Sequence, residues 1–211
     1  MRTPLVAIKG LSQLMLRRSE LSERSRSDVS RIVASVDRMN RLITDLVDFT
    51  RGRLGTGLPI APAATDLCEV CRRCIEDVKI EHPHRDVHFN AEGDLQGEWD
   101  PDRLTQVVGN LVSNALKYSP AGSPVEVIAR PARDVVSLQV RNHGEPIPQD
   151  EIDRIFDPFR RGSHESRRDQ QGRGLGLGLS IVQQIVQAHG GTVDAQSSAE
   201  AGTVFTVRLP R

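Results

Sequence analysis

The chain has 211 residues, with Lys+Arg and Asp+Glu both at 28 and a formal net charge of zero. That length suits one large or two modest domains, and the charge balance gives no reason to expect nucleic acid or an acidic membrane surface as a partner. Aromatic residues make up only 3%, so the core must be aliphatic and base-stacking platforms are not expected. No apolar run approaches the roughly 20 residues of a membrane span, and no signal peptide opens the chain, which reads as soluble.

In chain order, Met1 to about Thr50 reads as a helical hairpin. Leu5, Ile8, Leu11 and Met15 mark a first apolar seam, and Ser19 to Glu23 is a polar turn. Val29, Ile32, Val36, Met39, Ile43 and Leu46 alternate steps of three and four, a heptad seam. Val33, Leu42 and Val47 widen it to what a four-helix bundle needs. One hairpin supplies two helices, so a second copy is expected to supply the others. The stretch RGRLGTGLP (Arg51 to Pro59) holds three glycines and a proline and breaks both periodicities, so the domain boundary falls there.

Beyond the boundary, Thr65 or Asp66 can cap a helix running through the cysteines to about Glu81. Cys68, Cys71 and Cys74 have a spacing found in metal and redox sites, yet no second cluster completes four ligands. The same spacing puts small apolar side chains on one helix face, and reduced core cysteines are the expectation. DVHFNAEGDLQGEW reads as two short strands around a turn at Gly93. Asp100 and Pro101 open a helix in which Leu104, Val107, Val108, Leu111, Val112, Ala115 and Leu116 form one apolar stripe. PVEVIARP and VVSLQVRN alternate as a strand pair. A helix over Gly178 to Ala188 stops at Gly190-Gly191, and TVDAQS and GTVFTVRLP close the chain as a hairpin. Strands and helices without strict alternation predict an α+β fold, with a mixed, mostly antiparallel sheet covered by helices.

Four stretches carry possible chemistry. Asn110 and Asn114 sit one helical turn apart with Lys117 on the same face. Asn is a poor helix-interior residue. The bland reading is an exposed polar face; the other is a site for a hard cation and phosphates, with amide oxygens as ligands and Lys117 as a point charge. VRNHGEPIP, holding Asn142, Gly144 and Ile147, reads alone as a strand-ending turn. IFDPFRRG, holding Phe156, reads alone as a surface cluster. GRGLGLGLS, holding Gly172, Gly174, Leu175, Gly176, Leu177 and Gly178, runs straight into a helix, so backbone N–H groups and a helix N-terminus can face an anion. It lacks the Lys of a P-loop and the strand that precedes a dinucleotide fingerprint.

In this order and spacing, residues 59–211 resemble the ATP-binding domain shared by bacterial sensor histidine kinases and the gyrase, mismatch-repair and heat-shock-chaperone ATPases. NLVSNALKY is similar to the N box, NHGEPIP to the first glycine box, FDPF to the F box and GRGLGLGLSIV to the second glycine box. The resemblance implies that Asn110 and Asn114 ligate Mg²⁺ and, with Lys117, face the phosphates of ATP. It implies a place near the nucleotide for Tyr118, Ile147 and Phe156, with Gly172, Gly174, Leu175, Gly176, Leu177 and Gly178 bracketing the phosphates. Arg160 to Gln171 resembles a lid. Two residues of the first glycine box depart from the family. Its Asp, which accepts a hydrogen bond from the adenine amino group, is Asn142 here, and its second glycine is Pro146.

Residues 1–52 resemble the dimerisation and phosphoacceptor hairpin of the same kinases, so the expected whole is a dimeric four-helix bundle followed by an α/β sandwich ATP-binding domain. MRTPLVAIKG is similar to the segment that in the family reads His-Glu-Leu-Arg-Thr-Pro-Leu, with Met1 on the first Leu. That alignment implies an acceptor His preceding this chain, and none of His82, His84, His88, His143, His164 or His189 lies on the hairpin. The resemblance implies a protein histidine kinase core, cytoplasmic, a homodimer through the hairpin, passing the γ-phosphoryl of Mg·ATP to a His and thence to a response-regulator receiver domain. Alternatives are an acceptor-less nucleotide-binding pseudokinase and a stand-alone ATPase. The ATPase is disfavoured because those hydrolases carry a water-activating Glu where Asn110 stands, and an amide is no general base.

Overall fold

The computed structural model describes residues 2–17, 21–53, 58–160 and 175–211. It divides into two compact units, Met1–Thr50 and Arg51–Arg211. In the first, α1 (Arg2–Leu16) and α2 (Glu23–Arg53) form the expected hairpin. Leu5, Val29 and Val36 are buried between them, while Ile8, Leu11, Met15, Ile32, Met39 and Leu46 remain exposed. Lys9 Nζ donates to Asp37 Oδ1 across the pair at 2.6 Å. The sequence between the helices is described only in part, since residues 18–20 lie outside the described residues.

The second unit is the α+β sandwich. Its five-stranded sheet has the order β2 (Val87–Ala91), β4 (Val125–Ala132), β5 (Val135–Asn142), β7 (Gly202–Pro210), β6 (Thr192–Ser198). β2 and β4 are parallel and the other pairs antiparallel. Alternation decides the faces: Val125, Val127, Val136, Leu138, Val140, Phe205, Val207 and Leu209 are buried on one side. On that side lie α3 (Leu67–Glu81), α4 (Pro101–Lys117) and α6 (Gly178–Ala188), while the one-turn α5 (Gln149–Ile152) follows β5. The whole predicted stripe of α4 is buried, and burying each of its Leu and Val side chains is worth about 1.5–3 kcal/mol.

The strands flanking Gly93 differ from the simple hairpin that their spacing suggests. β3 (Gln96–Trp99) pairs not with β2 but with β1 (Ala63–Asp66), in a separate two-stranded sheet. Gly93 adopts φ +69 and lets the chain pass from one sheet to the other. Trp99 Nε1 donates to the Pro210 carbonyl at 2.7 Å, tying the small sheet to the end of β7.

Capping fixes the helix starts. Asp66 accepts from Cys68 N–H at the head of α3, and burial raises the Cys71 thiol, and the Cys74 thiol to about 11. All three cysteines are free. Asp100 accepts from Asp102 and Arg103 N–H at the head of α4, and from Ala61 N–H. Burial alone would raise its carboxyl, but these N–H bonds and the Arg103 charge outweigh that and hold it below the ordinary 3.8. His189, buried just past α6, bridges the two helices. Its Nδ1–H donates to the Ile185 carbonyl at 2.8 Å and its Nε2 accepts from Asp100 N–H at 3.0 Å.

Candidate nucleotide site

α4 presents Asn110 and Asn114 on one half-buried face, and α6 packs beside it. Asn110 Nδ2 donates to the Gly178 carbonyl at 3.3 Å, joining the helix to the start of α6. That bond uses one amide N–H and leaves the Oδ1 available. Asn114 makes no side-chain hydrogen bond among the described residues. Two neutral amide oxygens one turn apart form a donor set suited to a hard cation that keeps water or substrate oxygens. Among the described residues there is no cluster of three His, Cys, Asp or Glu.

Lys117 ends α4 and Tyr118 caps it. Lys117 Nζ lies 3.0 Å from the Tyr118 hydroxyl and 4.6 Å from its ring centroid. The turn after β5 reaches the same place: a Cβ added to Gly144 would overlap the Tyr118 carbonyl oxygen. Only glycine permits that approach. Asn142, the last residue of β5, is 3% exposed. Ile147 and Phe156 are held against the last two strands. Ile147 N–H donates to Ser197 Oγ on β6 at 3.0 Å, and Phe156 stacks edge-on against Phe205 of β7 with ring centroids 6.4 Å apart.

The glycine loop meets the F segment by a bond that sequence spacing did not indicate. Phe159 N–H donates to the Gly176 carbonyl at 2.9 Å. A Cβ on Gly176 would come within 2.7 Å of the Arg160 carbonyl, and its φ of +72 itself favours glycine. Phe159 takes φ +62, a conformation uncommon for residues with a side chain. Such strain gathers at ligand sites. Leu175 is half-buried and Leu177 fully buried, so Leu177 anchors the loop to the core, and Gly176 and Gly178 are half-buried beside it. Gly172, Gly174 and the lid resemblance, apart from Arg160, lie outside the described residues. The structure thus brings together Asn110, Gly178, Gly176 and Phe159 in one chain of contacts, and Lys117, Tyr118 and Gly144 in another, both on the C-terminal half of α4.

Comparisons with known proteins identify the family. Residues 99–211 match the family model described as histidine kinase-, DNA gyrase B- and HSP90-like ATPase, and residues 1–55 that of the His Kinase A (phospho-acceptor) domain. Over 210 residues the chain is 32% identical to a bacteriophytochrome of Pseudomonas aeruginosa, spanning all of this chain and 28% of that protein. It is 31% identical over 222 residues to the signal transduction histidine-protein kinase AfsQ2 of Streptomyces coelicolor, spanning all of this chain and 40% of that one. The chain therefore spans less than half the length of these curated relatives. A crystal structure of full-length ShkA in complex with AMPPNP superposes with a TM-score of 0.73 at 26% identity, covering 99% of this chain and 43% of that one.

Proposed function

The chain belongs to the histidine kinase-, DNA gyrase B- and HSP90-like ATPase family, and from that premise we propose that it is the kinase core of a two-component sensor histidine kinase. Residues 59–211 act as the catalytic ATP-binding domain and residues 1–52 as the dimerisation and phosphoacceptor hairpin. The observation that carries the reading is the Asn110–Gly178 bond, which sets the amide oxygens of Asn110 and Asn114 beside the glycine-rich start of α6. Asn110 and Asn114 would hold Mg²⁺ through their amide oxygens, which supplies charge neutralisation at the phosphates. Lys117 adds a point charge, and the N-terminal turn of α6 offers backbone N–H groups to an anion. Asn142 and Gly144 take the base side, with Tyr118, Ile147 and Phe156 around it. Leu175, Gly176, Leu177 and Gly178 would line the phosphate side, and Gly172 and Gly174, outside the described residues, are assigned to it by the sequence resemblance.

Phosphoryl transfer asks chiefly for positioning and electrostatic stabilisation, and these residues supply both. The γ-phosphoryl goes to a His of the hairpin and then to a receiver-domain Asp of a response regulator. No helix among the described residues is long and apolar enough to cross a membrane, and ATP chemistry places the core on the cytoplasmic side. A titration with Mg·ATP tests the site. Asn114→Ala is expected to weaken binding at least about tenfold, since a lost ligand or charged hydrogen bond costs on the order of 1–3 kcal/mol. Unchanged affinity in a folded variant would remove the Asn face from the site.

A further inference from the structure

We infer that Arg85 is a positioning residue of this site: its guanidinium fixes the last turn of α4, and through it the direction in which Lys117 reaches the phosphates. The inference rests on the proposed reading of Lys117 as a phosphate contact. Arg85 stands in the turn between α3 and β2, where its N–H donates to the His82 carbonyl at 2.9 Å. From there Nη1 donates to the Ser119 carbonyl at 3.3 Å and Nη2 to the Ser119 hydroxyl. Ser119 is 8% exposed and follows Tyr118, the C-cap of α4. The carbonyl of the next residue, Asp86, accepts from Val125 N–H at 2.9 Å. Two consecutive residues thus hold the beginning and the end of the segment that leads from α4 to β4.

The contact has a fixed direction. A guanidinium only donates, so the Ser119 hydroxyl accepts from Arg85 and must give its own proton elsewhere. It gives it to the Ala115 carbonyl at 2.7 Å, one of the four carbonyls at the end of α4 that lack a partner within the helix. Ala115 and Ser119 bracket Lys117 and Tyr118, so this bond sets the backbone from which both side chains start. Arg85 also puts a positive charge at the C-terminal end of α4, where the helix dipole favours one. Against this, Arg85 Nε is buried without a hydrogen-bond partner among the described residues, which is unfavourable for a charged group. What holds the guanidinium there is the grip of its other two nitrogens on Ser119.

The test is a calorimetric titration of the full chain with Mg·ATP, run as a double-mutant cycle of Arg85→Lys and Lys117→Ala. Lysine keeps the charge but cannot hold both Ser119 oxygens as the planar fork does. Arg85→Lys alone is expected to weaken binding at least about fivefold and Lys117→Ala at least about tenfold. Added to Lys117→Ala, Arg85→Lys is expected to cost less than about twofold more, because nothing is left for it to position. Ser119→Ala removes the hydroxyl with Arg85 in place; it is expected to follow the same pattern, and it decides the matter where Arg85→Lys does not fold. A folded Arg85→Lys or Ser119→Ala protein with wild-type affinity overturns the inference, and so do equal losses in both Lys117 backgrounds. Affinity indifferent to Lys117→Ala alone overturns it while the Asn face stands. Indifference to Asn114→Ala as well overturns the site reading itself.

Discussion

Replacing Ile43 by Asp should turn a dimer into a monomer. In a single hairpin the two helices hide Leu5, Val29 and Val36 from water, yet Leu11 is 65% exposed and Leu46 47%. Ile8, Met15, Ile32 and Met39 are exposed beside them. An apolar surface of that extent on one helical pair marks an interaction site, and a second copy of the same hairpin would cover it as a four-helix bundle. Ile43, half-buried on α2, lies in the predicted seam. An unpaired carboxylate buried there costs several kcal/mol, and each 1.4 kcal/mol is about tenfold in dissociation constant. Light scattering at tens of micromolar should report twice the chain mass for the wild type and once for the variant. A wild-type monomer, or a variant of unaltered mass, would count against the bundle.

Gly144→Ala is the second large effect, and it acts through backbone. The added methyl would overlap the Tyr118 carbonyl oxygen, and neither a sheet-anchored turn nor the end of α4 gives way cheaply. Either the turn after β5 swings off the helix or the α4 cap with Lys117 and Tyr118 is displaced. Both movements separate the base side from the phosphate side. Positioning losses of this kind cost about a hundredfold or more. Mg·ATP affinity should fall by at least that factor while circular dichroism keeps the native helix and strand content. A folded variant that binds Mg·ATP like the wild type would mean that the Gly144–Tyr118 approach is incidental to the site.

Local signals in the sequence were enough for the elements that carry their own start, stop and period. Asp66, one of the two caps open at that position, caps α3, and Asp100 caps α4 as its place before Pro101 indicates. Gly190, at φ +71, ends α6, and the alternation of β4 and β5 sets their antiparallel register. The pattern failed where pairing is made at long range. β1 is only Ala63–Asp66, without an alternating run, and exists as a strand because Trp99 and its neighbours pair with it. β2 and β3 look like consecutive strands of one hairpin but lie in two sheets, since the parallel pairing of β2 with β4 leaves no local trace. The site divides the same way. The face of Asn110, Asn114 and Lys117 follows from helical spacing alone. The bonds that assemble the rest, Asn110 to Gly178 and Phe159 to Gly176, span separations that no periodicity encodes. His189 was visible only as one of six histidines. Its role in holding α6 to the head of α4 comes from two hydrogen bonds in the folded chain.

Delivery of a γ-phosphoryl group from this site to a histidine on the hairpin can be read by phosphate labelling. The 211-residue chain carries no His on that hairpin. A second version replaces Met1 by the family's His-Glu-Leu ahead of Arg2. Both are incubated with Mg·ATP labelled at the γ-position, then treated with acid or alkali and offered to a receiver domain. The expected result is ATP binding by both, and on the extended chain alone a label that acid removes and alkali spares, as for a phosphoramidate, and that passes to the receiver. An extended dimer that binds Mg·ATP but takes up no label, or acid-labile label of equal strength on the 211-residue chain, would contradict the account.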